Sequence, residues 1–115
     1  MKPYRERENE PSEKKRLFED VRMTIKGVVP GADIVYFGSR GGEDDEEPLK
    51  MNFLVLIDQP LDRDVTMKIT DLLYRCGSTA NVAIGSVVVT KESWNSPHYP
   101  DREFKVMVEE EGVSL

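Results

Sequence analysis

Apolar residues along the chain follow two periods, and the change from one to the other marks out the elements. Leu17, Val21, Ile25 and Val28 recur every three or four residues, the spacing of one face of a helix. Ser12 stands ahead of them with charged residues behind it, so the pattern predicts an amphipathic helix over 12–26, ended by Gly27 and the Pro30-Gly31 pair. Residues 33–37, Asp-Ile-Val-Tyr-Phe, are a short run of β-formers that reads as a buried strand stopping at Gly38. The strongest strand signal is 50–58, Lys-Met-Asn-Phe-Leu-Val-Leu-Ile-Asp, whose continuous apolar stretch predicts burial on both faces. Pro60 closes it. Asp62 is placed to cap a second helix running to Cys76, with Val65, Ile69, Leu72, Leu73 and Cys76 inward and Gly77 as its stop. Residues 81–90 predict a third strand, with a bulge expected at Gly85. Beyond Trp94, Pro97 and Pro100, a short helix is expected near 102–110.

The order α-β-loop-β-α-β-α predicts an α/β (α+β) protein, a small mixed β-sheet flanked by helices. One domain is expected over 1–115, with 1–11 a loose lead-in; no internal repeat or long linker divides it.

Charge narrows the function classes. Sixteen Lys+Arg against 22 Asp+Glu give a net charge of −6. That lacks the electrostatic footprint of a general nucleic-acid binder and would not adhere to an anionic membrane. No run approaches the ~20 apolar residues that span a bilayer. The first fifteen residues have no apolar core to serve as a signal peptide, and a cytoplasmic location is the expectation. One cysteine, Cys76, excludes an intramolecular disulfide and a four-thiolate zinc site, and one histidine, His98, excludes multi-histidine metal sites.

The segment with candidate chemistry is Phe37-Gly38-Ser39-Arg40, a loop, and then Lys50-Met51-Asn52-Phe53-Leu54-Val55-Leu56-Ile57-Asp58 on the buried strand. This layout resembles the minimal nucleotidyltransferases, small members of the superfamily with the DNA-polymerase-β-like palm fold. The opening Met1-Lys2-Pro3-Tyr4, the turn from Asp58 to Arg63, the stretch from Glu92 to Pro97 and the closing Glu111-Gly112-Val113-Ser114-Leu115 add to the likeness, which covers nearly the whole chain. In that family a strand leads into Gly-Ser, whose backbone N–H groups and hydroxyl cradle phosphate oxygens. Asp-x-Asp on the next strand puts two carboxylates on one side. With a third from a later strand, they hold two Mg²⁺ ions on the triphosphate.

Here the pattern departs from the family. Aligned on Gly38-Ser39, the Asp-x-Asp positions fall on Lys50 and Asn52, and the third falls on Asn81 at the start of the 81–90 strand. Asparagine keeps the shape of aspartate without its charge. Lysine puts a positive charge where a cation should bind, a repulsion of ~4 kcal/mol at ~4 Å and an effective dielectric of ~20. The resemblance therefore implies the fold but not the reaction: a pseudoenzyme with no cofactor expected, binding a nucleoside triphosphate weakly through Gly38, Ser39, Arg40 and Lys50, or acting through a protein partner. The family likeness implies a small helical HEPN-type partner of the toxin–antitoxin kind. Two alternatives stay open. An active enzyme would transfer a nucleoside monophosphate from ATP to a protein with Mg²⁺ and unconventional carboxylates, such as those of the acidic run 43–47. A ligand-free interaction module would do neither.

Other side chains have plainer expectations. Arg40 either touches phosphate or balances the acidic run. Asp58 lies roughly 20 Å along the strand from Asn52 at ~3.3 Å per residue, too far to share a metal. Cys76 is expected in the core, His98 on the surface, and Trp94 packing the tail onto the domain.

Overall fold

The computed structural model describes Lys2–Pro3, residues 12–40 and residues 50–115. The acidic run 43–47 and most of the lead-in lie outside them. The elements are β1 (Lys2–Pro3), α1 (Ser12–Val28), β2 (Asp33–Arg40), β3 (Lys50–Ile57), α2 (Arg63–Ala80), β4 (Ala83–Thr90), α3 (Lys91–Asn95), α4 (Arg102–Glu111) and β5 (Val113–Ser114). The sheet has five strands in the order β1-β5-β2-β3-β4. β2 runs antiparallel to β3 and β5, and β4 runs parallel to β3, joined to it through α2. The expected mixed sheet flanked by helices is present.

β3 accounts for the layering. Side chains alternate across a strand, and every β3 position from Phe53 to Ile57 is buried. Met51, Phe53, Val55 and Ile57 pack with Leu17, Val21 and Ile25 of α1 and Ile69, Leu73 and Cys76 of α2. Leu54 and Leu56 point to the other face, where Trp94 of α3, Val108 of α4 and Val35 of β2 enclose them. Helices thus cover both faces, which is why β3 carries no polar alternation after Asn52.

Several boundaries differ from the sequence expectation. α1 continues through Gly27 to Val28, and Val29, rather than the exposed Val28, enters the core. α2 runs past Gly77 to Ala80. Gly77 serves close approach and not termination: a Cβ there would sit 2.6 Å from the Val82 carbonyl oxygen and 2.9 Å from Ile84. β2 extends through Gly38 to Arg40, and the irregularity expected at Gly85 lies instead between Tyr36 and Gly38. β4 keeps an unbroken register with β3 from Lys50↔Ala83 to Ile57↔Thr90. Lys2–Pro3 form a short strand paired with β5, which the sequence reading placed in the lead-in.

Candidate functional site

The β2 irregularity builds the site. Tyr36 pairs with Phe53 and Gly38 pairs with Asn52, leaving Phe37 as an extra residue in β2. Tyr36 packs with the α1/α2 core while Phe37 packs on the opposite face. The extra residue then sets Gly38 opposite Asn52, so that Phe37 and Gly38 both face the α4 side. Gly38 has φ +140°, a conformation that disfavours any residue with a Cβ. A Cβ built there meets nothing within 4 Å. Glycine is required by the backbone angle and leaves that side of the strand open.

A cleft of about 520 Å³ results, lined by Phe37, Gly38, Lys50, Asn52, Phe104, Met107 and Glu111. Its floor is the start of β3, with Lys50 and Asn52 two residues apart on one side of the strand. Its wall is α4, whose first turn is fixed by the Phe104 N–H donating to Asp101 Oδ1 at 3.0 Å. Phe104 stacks edge-on to Phe37 at 5.2 Å and to Trp94 at 5.9 Å between ring centroids, which holds the wall to the sheet. The Asn52 amide lies 3.4 Å from the Gly38 carbonyl oxygen, a long contact across the floor. Among the described residues no hydrogen bond or ion pair engages the Lys50 ammonium, which is exposed at the cleft mouth. By contrast Lys91 donates to the Gly31 carbonyl at 2.6 Å, and Lys105 donates to the Trp94 carbonyl.

The structure brings Gly38, Lys50 and Asn52 together, and the backbone of Ser39 and Arg40 continues β2 opposite Met51 and Lys50. Asn81 is not with them. It caps the C-terminus of α2 in the left-handed conformation, φ 59°, its N–H reaching the Gly77 and Ser78 carbonyls, and β4 begins two residues later. The sequence reading missed this because asparagine suits both a left-handed cap and the lead-in to a strand. The β4 residues in register with Lys50 and Asn52 are Ala83 and Gly85. A Cβ on Gly85 would lie 2.5 Å from Asn52 Oδ1 and 3.0 Å from Lys50 Cε, so position 85 faces both side chains. Parallel register is the signal that locates it, and no spacing in the sequence reports that register.

This donor set does not fit the divalent cations that the family likeness implies. The floor offers an ammonium, a carboxamide and two positions without donors, and among the described lining residues Glu111 is the one carboxylate. Asp58 is exposed beyond the far end of β3. Cys76 is buried, and burial pushes its thiol above the ordinary value, with Asp20 nearby acting in the same direction. His98 is exposed and Trp94 is buried against the sheet. No family model, curated protein or solved structure matches the chain.

Proposed function

We propose that this protein is a nucleotidyltransferase-fold pseudoenzyme that binds a nucleoside triphosphate by its phosphates and does not transfer it. The observation that carries this reading is the Lys50 ammonium, which has no hydrogen bond or ion pair among the described residues, beside Asn52 and the β2 irregularity at Gly38 on the floor of one open cleft. An ammonium is a usable phosphate partner as a point charge. It occupies a position where the resembled family carries an acid, so it supplies in place the positive charge that a metal ion brings to the triphosphate. The apolar wall of Phe104 and Met107 suits a base or sugar lying against α4. Arg40, paired in register with Lys50, extends the phosphate-binding set, whereas Ser39 is paired with Met51, which packs on the α1/α2 side. The same likeness suggests a small helical HEPN-type protein as the partner of the nucleotide-bound form.

Calorimetric titration with ATP, with and without Mg²⁺, tests the reading. Saturable binding indifferent to Mg²⁺, and weakened at least tenfold in Lys50→Ala (~1.4 kcal/mol), is expected. Absence of heat at millimolar nucleotide removes the nucleotide-binding reading. Mg²⁺-dependent labelling of any protein acceptor from radiolabelled ATP removes the claim that no transfer occurs.

A further inference from the structure

β4 stands at one end of the sheet, with β3 on one side and no strand on the other among the described residues. An edge strand presents unpaired N–H and C=O groups that template pairing with another chain. Natural edges are blunted by charges, prolines, bulges or shortness. β4 has none of these: its eight residues are Ala-Ile-Gly-Ser-Val-Val-Val-Thr, in unbroken register with β3. Ile84 and Val88 turn toward the α1/α2 layer, while Val89 packs on the opposite face and Val87 is exposed there. In a chain with net charge −6, an eight-residue uncharged edge is also the place where two copies meet without local like-charge contact.

We infer that β4 pairs antiparallel with β4 of a second copy of this chain, about a twofold axis through Ser86, so that one sheet runs through both copies. A twofold axis normal to the sheet keeps each face of one copy on the same face of the other. Opposed residues must then share parity. With Ser86 on the axis, Ile84 faces Val88, extending the α1/α2 core side with two branched apolar side chains. On the other face Gly85 opposes Val87 and Ala83 opposes Val89, each pairing a small residue with a large one. This self-complementarity favours a second copy over an unrelated strand.

The α2 helix adds to the same edge. Gly77 packs on Ile84 of β4, and Thr70 and Tyr74 continue that flank of the helix at spacings of four and three. Tyr74 is 71% exposed, a large ring on that flank of the helix. Eight residues at ~3.3 Å give an edge ~26 Å long, and a helix layer ~10 Å from the sheet makes it roughly 15–20 Å deep. Each copy then contributes on the order of 400–500 Å², which places the pair near the ~1,000 Å² at which specific interfaces begin. The dimer is therefore concentration-dependent, and salt strengthens it by screening the repulsion of two acidic chains.

Sedimentation equilibrium of the full chain across micromolar to millimolar concentration tests this. A monomer–dimer equilibrium is expected that tightens with added NaCl. Val87→Lys puts a charge on an exposed edge position outside either core, and should raise the dimer dissociation constant at least tenfold, with an unchanged thermal melt at concentrations where both proteins are monomeric. In a Cys76→Ala background, Ser86→Cys should form an intermolecular disulfide under mild oxidation, while Ala83→Cys should not. A chain that stays monomeric to millimolar concentration, a dimer indifferent to Val87→Lys, or cross-linking through position 83 and not 86 overturns the inference.

Discussion

At the scale of single residues, three glycines do different work, and the difference is testable. Gly38 is needed for its backbone angle, so Gly38→Ala forces a Cβ into a disfavoured conformation and should cost roughly 1–3 kcal/mol in urea denaturation. Gly77 is needed for space against the Val82 carbonyl, and Gly85 for space beside Asn52. At Gly85 the neighbouring atoms end flexible side chains, so Gly85→Ala should disturb the cleft more than the fold. The cysteine gives a pH prediction with a definite sign. Burial, aided by Asp20, raises the Cys76 thiol above 9.0, so the native state holds its proton more tightly than the unfolded chain. That contribution is fully present below pH 9 and is lost as pH rises through the raised native value. Urea midpoints should fall above pH 9, and Cys76→Ala should flatten part of the fall; an identical alkaline slope in the variant would refute the assignment.

At the scale of elements, the N-cap of α2 was legible, whereas helix ends and strand register were not. Asp62 accepts a hydrogen bond from the Val65 N–H at 2.8 Å, as its position before an apolar-periodic run predicts. Asp62→Ala should destabilise by about 1 kcal/mol, read from denaturant midpoints. α2 was foreseen, but its end was not: a buried glycine inside a helix reads in sequence like a stop. The β2 irregularity was equally hidden. Nothing in Tyr36-Phe37-Gly38 says which residue will be left unpaired, because that depends on how β3 registers against it. The cleft was therefore half legible. The strand-borne pair Lys50 and Asn52 follows from alternation alone, whereas the third strand's contribution needed the parallel register. This leads to a discriminating test. Lys50→Asp with Asn52→Asp and Ala83→Asp should gain a Mg²⁺-dependent thermal shift. The same double variant combined with Asn81→Asp should not, because position 81 is a helix cap outside the cleft.

At the scale of the whole molecule, two cores share one sheet. α1 and α2 close one face, and α3 and α4 close the other around Trp94. Trp94 is 2% exposed and stacks on Tyr99 and Phe104. Trp94→Ala should cost about 3–5 kcal/mol of stability. Because Phe104 also borders the cleft, the same variant should weaken the proposed nucleotide binding along with the fold. Ile69→Ala, in the α1/α2 core on the opposite face of the sheet, serves as the comparison, with about 2–5 kcal/mol lost and less effect on binding per unit of stability.

The sequence by itself determined the types of α1, β2, β3, α2, β4 and α4, but not the short α3, β1 and β5, together with the two-sided burial of β3 and the absence of acids at positions 50 and 52. These follow from local periodicity and residue chemistry, which neighbours in the chain express directly. The tertiary structure alone decided that Ala83 and Gly85 face Lys50 and Asn52, and that Phe37 and Gly38 turn to the α4 side. It also decided that Asn81 ends a helix and that β4 is left at an edge. Each of these is a matter of which strand lies beside which, and in what register. That is settled by contacts between residues far apart in the chain, and a one-residue slip would send every side chain of the strand to the other face.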